Sequence, residues 1–318
     1  MVGRRRRRAG DHLSRSDELR GLALAGIGVA LFSFSLPATK LAVEGLDPWF
    51  VSFGRAAAAA VLSVVVLRAT GARRPTRAEW RGLGVVAFGI VVGFPALTSL
   101  ALRHETSAHG AVVIALLPAG TAVWAVSRAG ERPSARFWAA ALAGLAAVLA
   151  FIFADGVGKA GVSDAELLVA TVICSLGYAE GGALSRELGG PQTVCWALVL
   201  SAPLTFAVAL ATAPYHASVG TNAWLGFAYV STVSMFVGFF FWYAGLARGG
   251  VAKAGQIQLL QPLLTLVLAG LVLGEHVSPF TLVCAVAVLA SVAGTQRARV
   301  ARVSAGGRPG VDVGDPTG

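Results

Sequence analysis

The feature of this sequence that most narrows its possible folds is the spacing of its uninterrupted apolar runs. Ten of them, over about 21–43, 48–68, 81–102, 107–128, 135–153, 165–185, 192–213, 222–247, 251–273 and 279–296, follow one another with only short polar breaks. Each is close to the roughly 20 residues that carry an α-helix across a hydrocarbon core about 30 Å thick. Lipid offers no partner to backbone N–H and C=O groups, so helices must satisfy them internally. Charge agrees with this reading, because only 13% of residues are charged where soluble domains average about 25%. The short alternating segments of a transmembrane barrel are absent. The expected fold class is an all-α integral membrane protein of ten transmembrane helices.

Several boundaries carry helix-start chemistry. Asp47 before Pro48 and Ser278 before Pro279 place a capping side chain ahead of a proline at the first helical position, and Ser134 precedes the fifth run. Orientation follows from the basic residues. With the N-terminus in the cytosol, 22 of the 26 lysines and arginines fall in cytosolic segments, Arg103 and Lys159 fall outside, and Lys40 and Arg55 lie within runs. That bias is the positive-inside pattern, so the net charge of +10 reads as topology and not as a nucleic-acid footprint. Residues 1–20, with Arg4–Arg8, read as a basic cytosolic tail without a cleavage site, and residues 297–318 as a disordered cytosolic tail. Cys174, Cys195 and Cys284 sit in apolar runs without metal-ligand spacing and read as small buried hydrophobes. No cofactor or metal is expected.

The runs are also related to one another. LLPAGTAVWAVSRAGE (Leu116–Glu131) places a proline in an apolar helix and a Gly-Glu pair at its end. LQPLLTLVLAGLVLGE (Leu260–Glu275) repeats the same Pro-to-Glu spacing of thirteen, 144 positions later. Leu102 and Leu246, Thr121 and Thr265, Gly130 and Gly274, and Ser134 and Ser278 match at that offset. Five runs separate equivalent positions, an odd number, so the copies run in opposite directions across the membrane. The halves are 21–153 and 154–296. Inverted repeats of this kind build secondary transporters, whose binding site lies near the bilayer midplane where the repeats meet.

With these motifs the chain resembles the drug/metabolite transporter superfamily, and within it the EamA-type ten-helix transporters. The likeness spans about 20–298. It rests on Leu116-Leu117-Pro118 through Gly130-Glu131, on Gln261-Pro262 through Gly274-Glu275, on Arg55 in the second run and on Lys40 closing the first. Phe32–Ser35 departs from the Trp-Gly-Ser-Asn often found there in the family. The resemblance implies a secondary transporter, commonly an exporter, of small metabolites such as amino acids or related amphipathic compounds. It also implies alternating access across the cell membrane, a small-molecule substrate, a lipid environment and a coupling proton as one option. Monomer and homodimer both stay open.

Residue by residue, the ninth run is the most informative. Gln258, Gln261 and Thr265 form one polar stripe, serving either a cavity or interhelical hydrogen bonds. Pro262 removes the helix bond to the Gln258 carbonyl, and Pro118 is its equivalent on the fourth run beside Thr121 and Trp124. Thr98 lies in the third run near Phe94 and Pro95. Tyr178, Trp242 and Tyr243 offer aromatic walls, the last two alternatively an interfacial belt. Ionisable residues inside spans are functional candidates. Lys40 is about 28 Å along its helix, near the outer surface, where Glu44 four residues on makes an ion pair the expected role. Arg55 lies about 10 Å from the outer surface, where it pairs either with a carboxylate such as Asp47 or with an anionic substrate group. Glu180, about 22 Å in, is the candidate protonation site, with an ion pair to Arg186 as the alternative.

Two other classes are weighed against transport. A membrane-embedded enzyme needs a nucleophile–base or metal-ligand set, and no HExxH, aspartate pair or P-loop occurs. A scaffold or receptor subunit would have no polar cavity at its midplane. Sugar-phosphate carriage fits poorly, because Arg55 is the only clear cation deep in a run and phosphate recognition usually takes more.

Overall fold

The apolar runs become helices in a computed structural model that describes residues 15–129, 132–155, 161–215, 218–249, 257–297 and 300–301. The Gly130-Glu131 pair, Lys159, Lys253 and most of both tails lie outside the described residues. Seven helical spans are long and apolar enough to cross a membrane. In chain order they are Leu19–Val43, Phe50–Ala69, Arg77–His104, Ser107–Ser127, Val162–Leu188, Gly190–Ala211 and Thr221–Arg248. Three shorter apolar helices, Trp138–Phe151, Leu260–Leu273 and Pro279–Ser291, take the places of the fifth, ninth and tenth runs. They are called here the first to tenth spans. Among the described residues the only strand pairing is a two-residue antiparallel contact of Arg132–Pro133 with Val300–Ala301.

The boundary residues act as their chemistry suggests. Asp47 Oδ1 accepts from the N–H groups of Trp49 (2.8 Å) and Phe50 (3.3 Å), and Ser278 Oγ from that of Thr281 (3.0 Å). Thr76 and Glu79 close a capping box at the start of the third span, and Arg73 donates to Glu79 at 2.8 Å.

The packing obeys the inverted repeat. Equivalent helices are first and sixth, second and seventh, third and eighth, fourth and ninth, fifth and tenth. The first span packs along the eighth and the sixth along the third, two contacts that exchange under the repeat operation. Second against seventh, fourth against ninth, and fifth against tenth are each a helix against its own equivalent. Close approach depends on small residues, since helices in lipid associate through packing. A Cβ on Gly245 would stand 2.6 Å from the Ala25 backbone nitrogen, and one on Gly89 would stand 2.5 Å from the Ile173 carbonyl.

Three spans expected as continuous helices are interrupted. The first breaks at Phe34, between helices Arg15–Ser33 and Ser35–Val43. The break is the work of Pro37, which has no N–H for the Ser33 carbonyl; Thr265 Oγ1 of the ninth span replaces that donor at 2.9 Å. The fourth span breaks at Ala115–Leu116 and the ninth at Leu259, positions equivalent under the repeat and three residues or fewer before Pro118 and Pro262. The third and eighth spans carry wide π-helical turns at Ala87–Gly93 and Tyr229–Val237, which also coincide under the repeat.

Candidate substrate cavity between the two repeats

The interruptions meet at one place. A narrow cavity lies between the repeats. The first span supplies Phe32, Ser35 and Leu36, the second Arg55, the third Ile90 and Phe94, and the fourth Ile114 and Leu117. From the other repeat come Cys174 and Tyr178 of the sixth span, Ser234 and Phe239 of the eighth, and Gln261 of the ninth. Ile90, Leu117 and Ser234 fall at the midpoints of their spans, the depth at which inverted-repeat transporters hold their substrates. A second, smaller space shares Leu36, Ile114, Leu117 and Gln261 with the first and adds Ala111, Pro118, Gln258, Pro262 and Thr265.

Part of the lining is matched in position between the repeats and unequal in chemistry. Ile114, Leu117 and Pro118 are the repeat equivalents of Gln258, Gln261 and Pro262, so one wall is aliphatic where its twin carries two amides. Ile90 is likewise the equivalent of Ser234, and Arg55 that of Val199. Ser35 and Ser234 share a hydrogen bond of 2.7 Å across the repeats.

Of the residues singled out in the sequence, Arg55, Tyr178, Gln261, Gln258, Pro118, Pro262 and Thr265 border these spaces. Thr265 also lies 2.9 Å from the Gln261 carbonyl. Thr98 and Thr121 do not border them; their buried hydroxyls donate to the Phe94 and Leu117 carbonyls of their own helices at 2.7 and 2.9 Å. Trp124 is half-buried on the fourth span outside the lining. Trp242 and Tyr243 are 1% and 0% exposed, so they form no interfacial belt. They stand behind the wall, Trp242 against Tyr178 (5.4 Å between ring centres) and Tyr243 against Phe239 (5.6 Å).

The ionisable residues depart from expectation at Lys40 and in one of the two alternatives for Arg55. Arg55 is 3% exposed and its Nε has no hydrogen-bond partner among the described residues. The Asp47 alternative does not occur, since that carboxylate caps the second span. Lys40 passes over Glu44, which is exposed, and donates to the Leu102 carbonyl at 3.0 Å, at the negative end of the third span's dipole. Glu180 is buried against the third span, where a Cβ on Gly82 would meet its Oε1. The lining residues missed in the sequence include Ser35, Ile90, Cys174 and Ser234. The offset of 144 that pairs Ile90 with Ser234 was the available signal.

At the face opposite the arginine-rich one, the repeats are tied together above the cavity. The Glu275 carboxylate, just past the ninth span, accepts from Ser107 N–H (2.9 Å), Ser107 Oγ (2.7 Å) and Ala108 N–H (2.8 Å). It thus caps the fourth span from the other repeat, in favourable alignment with that helix's dipole. Beside it, His109 Nε2 lies 2.7 Å from Asp164 Oδ1 at the start of the sixth span, both residues buried. Asp164 Oδ2 accepts the Gly161 N–H at 2.8 Å.

The EamA-like transporter family model matches residues 19–153 and again 164–296. The chain belongs to the EamA-like transporter family. Among curated proteins it is 48% identical over 272 residues to the uncharacterized transporter YdeK of Bacillus subtilis (strain 168), a match covering 85% of this chain and 95% of that one. It is 23% identical over 288 residues to the probable terminal-alkyne amino-acid exporter of Streptantibioticus cattleyicolor, covering 89% and 95%. A protein of known crystal structure superposes with a TM-score of 0.61 at 19% identity, covering 89% of this chain and 98% of that one; this likeness concerns the fold alone. This EamA-like protein is therefore a multi-pass membrane transporter, acting on a small molecule from within lipid.

Proposed function

We propose that this transporter exports small amphipathic metabolites, amino acids or related compounds, across the plasma membrane by alternating access of its two inverted repeats. Both termini face the cytosol in this reading, as the 22 basic residues on that side suggest. The observation that carries the proposal is the mid-span cavity built from both repeats and covered on the outer side by the Glu275 and His109–Asp164 contacts. Opening outward requires those contacts to break, and closing inward requires others to form. The name borne by the Streptantibioticus relative supports amino acids and the export direction. A proton is the proposed coupling ion and buried Glu180 its carrier.

Cys174, in the cavity wall, gives a native reporter. In right-side-out vesicles of a chain with Cys195 and Cys284 replaced by alanine, Cys174 should react slowly with an impermeant maleimide. Glu275→Ala should speed that reaction several-fold, and proteoliposomes should show amino-acid flux that Glu180→Gln uncouples from the pH gradient. Labelling that is already fast and unchanged by Glu275→Ala would defeat the gating role. Absence of any flux would favour a scaffold or receptor role.

A further inference from the structure

Two polar atoms shut off from solvent in the cavity wall have no hydrogen-bond partner among the described residues, and they are of opposite kind. Arg55 Nε is a donor and Gln261 Oε1 an acceptor, and both residues line the same cavity. Arg55 carries a full charge at 3% exposure. Among the described residues, no acidic one lines the space with it and no ion pair includes it. A charge in such surroundings is strongly disfavoured unless an opposite charge meets it. An unmet amide oxygen calls in the same way for an N–H donor.

The geometry points to a zwitterion site, in which Arg55 holds the carboxylate of the substrate and Gln261 Oε1 accepts from its ammonium group. This deepens, and rests on, the transport reading above. The site takes an α-amino acid with an apolar side chain, because the remaining wall is aromatic and aliphatic, with Phe32, Phe94, Tyr178 and Phe239 prominent. One guanidinium pairs with one carboxylate, and among the described residues no second cation lines the space to balance the further charge of a phosphate. Its own charge repels purely cationic compounds. The repeat equivalents of the pair, Val199 and Leu117, have neither function, so the molecule is held in one orientation.

The test measures binding to the full chain in detergent by ligand-induced thermal shift, with L-phenylalanine, its amide, phenethylamine and 3-phenylpropanoate, and the corresponding leucine series. Removing the carboxylate or the ammonium group from the ligand should each weaken binding about 10- to 100-fold, the range for hydrogen bonds to charged groups. Arg55→Gln should weaken the acids by that factor and leave the amide unchanged. Gln261→Leu should weaken the amino acid and leave 3-phenylpropanoate unchanged. Comparisons among ligands on the wild-type chain need no variant to fold, and Arg55→Lys, which keeps the charge, should retain part of the affinity. Equal binding of acid and amide, or equal weakening of both by Arg55→Gln, would overturn the assignment. So would stabilisation by chloride over gluconate, lost in Arg55→Gln, with no response to any amino acid: that result would make Arg55 an inorganic-anion site. Because binding is read without flux, a chain that binds as described and moves nothing in vesicles would end the transport reading and leave the site standing.

Discussion

Thr265→Val removes one hydroxyl from the centre of the molecule and nearly preserves its volume. The hydroxyl lies 2.9 Å from the Ser33 carbonyl of the first span. In an unbroken helix that carbonyl would accept from residue 37, but residue 37 is proline, and Ser33 is fully buried. The substitution therefore strands a buried carbonyl. Interhelical hydrogen bonds in membranes average about 0.6 kcal/mol with a maximum near 1.7, and an unsatisfied buried acceptor costs about 1–3 kcal/mol; the expected destabilisation is about 1–2 kcal/mol. Pro37→Ala returns an N–H to the helix and gives Ser33 a local partner. In that background Thr265→Val should cost no more than about 0.5 kcal/mol, a coupling of about 1 kcal/mol between residues on different repeats. The assay is reversible unfolding of the full chain in mixed micelles for the wild type, both single variants and the double variant. An equal cost of Thr265→Val with proline or alanine at position 37 would refute the argument that the hydroxyl serves the proline-freed carbonyl.

Other consequences can be checked in the same preparation. Gly245→Leu should lower stability by about 1–3 kcal/mol through overpacking against the Ala25 backbone, only 2.6 Å from a Cβ there. Gly84→Ala, with nothing within 4 Å, should stay within about 0.5 kcal/mol of wild type by thermal unfolding. Ser35→Ala and Ser234→Ala remove partners of one hydrogen bond, so the double variant should be no less stable than the sum of the singles predicts, and measurably more so. Asp164→Asn should raise outer labelling of Cys174 as Glu275→Ala does, because both loosen the cover over the cavity; a rise with one and not the other would show that the two contacts are not a single closure.

The all-helical membrane class, the order of the apolar helices and the inverted repeat were legible in the sequence because they rest on length, polarity and spacing, which act locally; three of the ten expected spans are shorter helices than the other seven. The caps at Asp47 and Ser278 were legible for the same reason. What depends on a partner from another helix was not. Thr265 read as part of a polar stripe, but nothing local says that its hydroxyl meets the carbonyl freed by Pro37, 228 positions away. Lys40 was matched with Glu44 by helical spacing, whereas the Leu102 carbonyl, 62 positions distant, takes it. Trp242 and Tyr243 resembled belt residues by depth, yet they face inward, Trp242 against Phe32 of the first span and Tyr178 of the sixth, and Tyr243 against Gly181 of the sixth. The Gly-Glu ending of the ninth span marked topology in the sequence. In three dimensions its glutamate reaches across to the start of the fourth span.

The unequal chemistry of the matched cavity walls has an energetic consequence. Under the alternating access proposed above, two identical repeats exchanging roles would give outward-open and inward-open forms of equal free energy, a balance of one to one. Any standing preference must therefore originate where the copies differ, and at the cavity those places include Leu117 against Gln261, Ile114 against Gln258, Ile90 against Ser234, and Arg55 against Val199. A difference of about 1.4 kcal/mol at such positions tilts the resting population tenfold. On that proposal a few mismatches between the halves set the side on which the transporter waits for its cargo, and Leu117→Gln, by making the halves more alike, should draw the resting state toward parity.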